Sequence, residues 1–253
     1  GFHLLTTSPA SWALTPSRGA AVILALDTCL SGGGAALAHG GKVLAQALLE
    51  PGPGFSRRLL PAIQEVMTQA GVSQKDLTGL AVTIGPGFFT GLRVALATAQ
   101  GLALGLNLPV AGVSSLRLLA ANAPAGRRTL WVLADARRDL IYAACFDQDG
   151  EAFERREADM AITPERLRPL LEPPALLLGP GARLLGPEDL APGLELAPAS
   201  LDQPSPGLLA LIGARRLAQG KGLAPHQLRP RYCRPSDAEV RFGLPLDDYR
   251  LVQ

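Results

Sequence analysis

GPGFFTGLR, residues 85–93, lies between the apolar run LAVTI (80–84) and the small-residue run VALATAQGLALGL (94–106). That order predicts strand, glycine turn and helix. Gly85 and Gly87 flank Pro86, a grouping that fixes a tight turn with outward-facing N–H groups. Gly87 is the residue expected to need a positive φ, so Gly87→Val is expected to damage the fold before any ligand site. Thr90 stands at the expected N-cap of the helix. A helix start carries about half a positive charge and unpaired N–H groups, so the junction suits either a bound anion or a plain capped turn. It is not a P-loop, because Gly91-Leu92-Arg93 lacks the lysine and the metal-binding hydroxyl. Nor is it a dinucleotide fingerprint, since the next strand candidate, PVAGVSS (109–115), carries no acid.

A chain of 253 residues can bury roughly three quarters of its unfolded surface, enough for one large domain or two lobes. With 47% hydrophobic and 18% charged residues it reads as a soluble globular protein, and a net charge of +2 is too small to signal a nucleic-acid field. The positive charge is nearly all arginine; Lys42, Lys75 and Lys221 are the only lysines. Cys29, Cys145 and Cys233 are odd in number, far apart and without CxxC spacing, which points to reduced thiols in a cytoplasm. Asp27 and Gln100 interrupt the two longest apolar runs, so no membrane span is expected. Residues 1–20 mix Pro, Ser and Thr without the basic start and apolar core of a signal peptide, and read as an extension outside the fold.

From there, AAVILALDT (20–28) reads as a buried strand ending in Asp27, followed by SGGG and two further strands joined at Gly40-Gly41. A helix is expected from Ser56 to Gly71, with Leu59, Leu60, Ile63, Val66, Met67 and Ala70 at helical spacing. A second three-stranded meander runs through TLWVLADAR (129–137), LIYAACF (140–146) and EAFERRE, again with an acid, Asp135, at the end of its first strand. Such a repeat predicts a duplicated unit. Beyond residue 172 the chain is rich in Pro and Gly, with a strand and turn at LLLGPG (176–181), a helix over 206–220, and a tail, LRPRYCRP (228–235), kept extended by its prolines.

GPGFFTGLR closely resembles the GPGSFTGLR signature of the TsaB family, also called YeaZ. ILALDT (23–28), RRLLP (57–61), AQGLALG (99–105), PVAGVSSL (109–116) and ADAR (134–137) follow in that family's order. The resemblance covers residues 22–160 well and the C-terminal third loosely. It implies a two-lobed α/β fold of the actin and sugar-kinase superfamily, with duplicated mixed sheets flanked by helices. The expected division is an extension over 1–20, one lobe over 21–123 and a second over 124–253.

The resemblance also implies a role. The chain is expected to be a non-catalytic partner of TsaD, with the ATPase TsaE joining, in forming threonylcarbamoyladenosine beside the anticodon of transfer RNAs that read codons beginning with A. It is expected to form a homodimer when TsaD is absent, to meet transfer RNA only through the complex, and to need no cofactor. In the superfamily, glycine follows each strand-end acid in a loop that approaches phosphate; here Asp27 precedes Thr28-Cys29 and Asp135 precedes Ala136-Arg137. The nucleotide site, including Gly85, Gly87 and Thr90, is therefore expected to be degenerate, with both acids in structural roles at strand ends. Where TsaD carries its metal-binding histidine pair, this chain has Ser115 and Leu119, which cannot replace it. A small ATP-dependent kinase and a peptidase are the competing readings; they need a phosphate cradle and a metal pair respectively.

Phe88 replaces the signature's serine and doubles the aromatic at Phe89; it either packs within the protein or anchors a partner. Arg229, Arg231 and Arg234 around Tyr232 suit RNA phosphate, or an arm lying on its own domain. The partner face is expected on the helix from Ser56 to Ala70, through Leu59, Ile63 and Met67, and on the small-residue helix from Leu92 to Leu104, through Ala95, Ala99 and Ala103, because a helix poor in bulk lets another approach closely.

Overall fold

The computed structural model describes residues 20–50, 54–150 and 152–234. The extension assigned to residues 1–20 lies outside them except for Ala20, as do residues 51–53 of the PGPG turn and the end of the tail. The described chain forms two compact units, one from the residues up to Ile84 with 90–113 and 205–230, the other from 85–89, 114–204 and the residues from Arg231 onward.

The first unit begins with β1 (Val22–Leu30), β2 (Gly32–His39) and β3 (Lys42–Leu48), an antiparallel meander. After a 3-10 turn over Phe55–Arg58 comes α1 (Leu59–Ala70), then β4 (Gly79–Thr83), α2 (Phe89–Leu106) and β5 (Val110–Val113). The sheet order is β3-β2-β1-β4-β5, with β4 parallel to β1 and β5 parallel to β4. β1 is buried along its whole length, which is why it reads as a continuous apolar run rather than an alternating one. Gly71 closes α1 in the left-handed conformation, its N–H reaching the carbonyls of Met67 and Thr68.

In the second unit α3 (Ser115–Ala120) leads to β6 (Gly126–Arg137), β7 (Leu140–Gly150), β8 (Ala152–Arg155), β9 (Met160–Ile162), α4 (Pro164–Leu167), β10 (Ala175–Leu178) and β11 (Leu194–Leu196). Its sheet runs β11-β10-β6-β7-β8, with β9 beside β7. Position for position this repeats the first sheet: an antiparallel meander, then a strand parallel to the meander's first strand, then another parallel to that. The register also breaks in the same place, just after Asp27 in β1 and just after Asp135 in β6. Trp131, Leu133, Ile141, Cys145 and Leu177 centre its core. Two mixed sheets of one topology, each flanked by helices, make the two-lobed actin-like fold.

The last helix, α5 (Pro206–Ala218), belongs to the first unit, not to the C-terminal lobe in which the sequence places it. It starts where Ser205 Oγ accepts from Leu208 N at 3.3 Å with Pro206 at the first helical position. It lies across the first sheet, close enough at Gly213 that an added Cβ would come within 2.3 Å of Ala81 Cβ. The boundary drawn at 123/124 thus misplaces α5, and also α3 and the loop 85–89, which belong to the second unit, because sequence proximity does not reveal which sheet a segment packs on.

Three local expectations also change. α1 starts at Leu59 rather than Ser56. α2 starts at Phe89, so Thr90 sits inside its first turn, exposed, and is not the cap. The helix Phe89–Leu106 is long and apolar enough to cross a membrane by length and composition alone, a run that the interruption at Gln100 led the sequence reading to discount. In the fold, α2 is the crossover between parallel β4 and β5, with Leu92, Ala95, Ala99 and Ala103 fully buried.

The seat of α2 is set at Gly91, where an added Cβ would stand 1.8 Å from the Thr28 carbonyl oxygen. Nearly three turns on, Gly101 faces open space. Gly91→Ala is expected to cost about 1–3 kcal/mol or more, because backbone must yield to fit it. Gly101→Ala is expected to gain about 0.5–1 kcal/mol from helix propensity. Denaturant unfolding of the two variants checks the pair. The strained turn position is Gly85, at φ 102°, and not Gly87, which has no positive φ. Gly85→Ala should therefore lower Tm more than Gly87→Ala, and equal losses would show that the turn is limited by space and not by φ.

Candidate functional site

In the first unit the end of β1 is where a superfamily member would approach phosphate. Asp27 is buried at 1% exposure. Its Oδ1 accepts from Thr83 Oγ1 at 2.6 Å and from Cys29 N at 3.0 Å, while Oδ2 has no hydrogen-bond partner. Burial pushes the Asp27 carboxyl above the usual carboxylate range, against the lowering effect of the bonds from Thr83 and Cys29. Thr28 is fully buried, and its hydroxyl donates to the Gly91 carbonyl at 2.6 Å. The Thr28 backbone therefore occupies the space beside Gly91 in the first turn of α2, where a side chain or a ligand atom would otherwise stand.

The loop 85–89 belongs to the second unit, and its carbonyls are taken by that unit's side chains. Ser115 N donates to Gly85 O at 2.9 Å, Ser115 Oγ donates to Pro86 O, and Tyr142 Oη donates to Gly87 O at 3.4 Å. Ser115, at one of the two positions matching the TsaD histidines, is thus a holder of the glycine loop; Leu119, at the other, is fully buried in the core. Phe88 is half-buried under the Arg137 guanidinium, 4.9 Å from its ring centre, and Phe89 stacks on Tyr232 at 4.5 Å. The aromatic that replaces the signature's serine packs within this chain.

Asp135 repeats the arrangement of Asp27 with a different outcome. Its Oδ1 accepts from Arg137 N at 2.7 Å, the same i+2 bond that Cys29 makes to Asp27, but its side chain is 35% exposed. The β6–β7 turn that follows carries three consecutive non-glycine residues in the left-handed region, Arg137, Arg138 and Asp139, at φ 63°, 52° and 59°. Such a turn is strained. The Arg137 side chain that reaches Phe88 projects from it.

All three thiols are buried and none is in a disulfide; burial raises Cys145 to about 11 and Cys233 further still, so neither of these two supplies thiolate near neutrality. Among the described residues no group of three His, Cys, Asp or Glu side chains converges. The basic tail is divided: Tyr232 is in the stack and Arg234 is 4% exposed, whereas Arg229 and Arg231 are exposed, Arg229 Nη1 donating to the neighbouring Leu228 carbonyl at 3.2 Å.

Most of the residues expected to form the partner face lie inside their own unit. Leu59, Ile63, Ala95, Ala99 and Ala103 are all buried, and Met67 is half-buried. The exposed stripe of α2 is Arg93, Ala97, Gly101 and Leu104, with Leu104 at 76% exposure, and on α1 Leu60 is exposed at 59%. Helix phase could have separated them. Ala95, Ala99 and Ala103 share an i, i+4 row with Gly91, so the residue pressed against Thr28 carries the whole row inward. The sequence reading also missed the bond from Thr28 to Gly91, Ser115 as a loop holder and the reach of Arg137 to Phe88, each a contact between segments far apart in the chain.

A family model for TsaD, tRNA N6-adenosine threonylcarbamoyltransferase, matches residues 52–179. The chain is 33% identical to the tRNA threonylcarbamoyladenosine biosynthesis protein TsaB of Escherichia coli over 221 residues, 84% of this chain and 94% of that one. To TsaB of Bacillus subtilis it is 29% identical over 226 residues, 87% of this chain and 97% of that one. Among solved structures it is similar to YeaZ from Pseudomonas aeruginosa, with a TM-score of 0.71 and 30% identity over 84% of this chain and 99% of that one. Sharing the two-lobed topology, the GPGFFTGLR loop and nearly the full length of these relatives, the chain belongs to the TsaB, or YeaZ, family.

Proposed function

We propose that this chain is a non-catalytic cytoplasmic subunit in the biosynthesis of threonylcarbamoyladenosine on transfer RNA, acting as the partner of TsaD, which carries the chemistry, with TsaE joining the assembly. The names of its relatives support the pathway. The observation that carries the non-catalytic reading is the filled space at the first turn of α2: the Thr28 backbone lies against Gly91, and the Thr28 hydroxyl bonds to its carbonyl. Ser115 and Leu119, committed to the glycine loop and the core, support it further. A subunit without its own phosphate cradle contributes through its surface. The stripe Arg93, Ala97, Gly101 and Leu104 of α2, together with Leu60 of α1, is the docking face in this reading; its small residues allow a partner helix to approach closely and its exposed leucines supply apolar area.

Mixing the chain with its cognate TsaD and following the pair by size-exclusion chromatography tests the reading: a complex should form, and modification of transfer RNA should require both proteins. A free chain that hydrolyses ATP, or that modifies transfer RNA alone, would overturn it.

The docking face has its own test. Ala97→Glu and Gly101→Glu should leave the circular dichroism spectrum intact, change stability by no more than about 0.5–1 kcal/mol, and weaken TsaD binding. Ala99→Glu should unfold the chain, because burying an unpaired carboxylate costs several kcal/mol. An Ala97→Glu chain that is folded and binds TsaD as tightly as the wild type would remove α2 from the interface.

A further inference from the structure

Asp27 is a buried acid with no counter-charge and no part in the docking role. Its two oxygens are treated unequally: Oδ1 receives the Thr83 hydroxyl and the Cys29 N–H, whereas Oδ2 has no partner. The surroundings hold no charge to balance a carboxylate. From β4, Thr83 brings only its hydroxyl, which also accepts from Cys29 Sγ at 2.9 Å. From β2, Gly33 lies close enough that an added Cβ would stand 3.2 Å from Asp27 Cγ, and glycine has no side chain to ionise. On β1 itself the neighbours are Leu26, Thr28 and Cys29, all buried. Among the described residues the Cys29 thiol is the one other titratable group acting on Asp27, with no contribution from Lys, Arg, His, Asp or Glu.

An ionised carboxylate here would place a full charge on a buried oxygen that nothing solvates, which is the costliest way to bury a polar group. A neutral acid keeps Oδ1 as the acceptor for both donors and leaves only an uncharged hydroxyl without a partner. We infer that the folded chain holds Asp27 as the neutral carboxylic acid with its proton on Oδ2, so that folding of the first unit takes up one proton from neutral solution. The strand-end acid is then a pH-sensitive element of the fold.

The sign of the effect follows from linkage. Below the ordinary aspartate range, about pH 4, Asp27 is neutral in both states and has no influence. As pH rises above that, the unfolded chain ionises while the folded chain does not, so stability falls. The loss continues until pH passes the folded chain's raised value and is constant beyond it. Asp27→Asn imitates the neutral acid in shape, retains the Oδ1 acceptor and does not titrate.

Denaturant unfolding of wild type and Asp27→Asn, measured side by side from about pH 4 to about pH 8, reads the proton directly. The ratio of the two unfolding constants should shift in favour of the variant by about tenfold per pH unit within the window, one proton's worth, with every other titrating group cancelling in the comparison. A ratio that stays flat above about pH 5, or that shifts towards the wild type as pH rises, overturns the inference. Should the variant fail to fold, carbon NMR of wild-type protein labelled in its aspartate carboxyls supplies the second arm. One carboxyl, assigned to Asp27, should keep the chemical shift of a protonated acid at neutral pH, and a carboxylate shift for Asp27 there would equally overturn it.

Discussion

The contact on which the first unit depends is the one between the Thr28 carbonyl and the α carbon of Gly91. No side chain fits between them, and the Thr28 hydroxyl bonds the Gly91 carbonyl on the same spot. This fixes the start of α2 against the end of β1. Because a helix repeats every 3.6 residues, it also decides what lies two and three turns further on. Ala95, Ala99 and Ala103 follow Gly91 inward, and Arg93, Ala97, Gly101 and Leu104 are left outside. The same contact sets both how closely α2 approaches the end of β1 and which stripe of the helix stays exposed.

How the chain folds was legible in its sequence where patterns are local. The glycine turn, the helix end at Gly71 and the repeated meander all follow from runs of fewer than about a dozen residues, although the strands expected to end at Asp27 and Asp135 run on to Leu30 and Arg137, with only their register broken after the acids. What could not be read depends on which distant segments meet. Pairing Gly85 with Ser115 rather than with a ligand, seating α5 on the first sheet, and turning the Ala95 row inward are tertiary outcomes. Composition misled in one respect: a helix rich in Ala and Gly reads as poor in bulk on all sides, but its buried row uses that poverty for packing against its own unit, and only the remaining stripe is open. The strained glycine was placed two residues late because both Gly85 and Gly87 flank Pro86, and sequence gives no φ.

Within the second unit the acids are managed differently from Asp27. Asp159, nearly as buried, is paired: Arg155 Nη1 donates to its Oδ1 and Ser114 Oγ to its Oδ2 at 2.9 Å, with the Arg155 guanidinium stacked 4.7 Å from the Phe146 ring centre. Asp202 likewise receives Gly179 N at 3.1 Å and Arg183 Nε at 3.1 Å. Asp159 and Asp202 thus each have a guanidinium beside them, the pairing that low-dielectric surroundings favour for an acid. Asp27 meets only uncharged donors, from Thr83 and Cys29, and this contrast separates it from those two acids.

The assignment of α5 to the first unit bears on how the protein is made. The sheet of the second unit is complete in the chain by Leu196, whereas the first sheet, although its strands are all synthesised by Val113, waits for residues 206–218 to cover one of its faces. Emergence from the ribosome therefore leaves the first sheet, begun first, without this cover until after the second sheet's strands are made. During that interval the nascent chain carries an uncovered apolar β-surface spanning β1 to β5, the kind of surface that trigger-type chaperones and misassembly compete for.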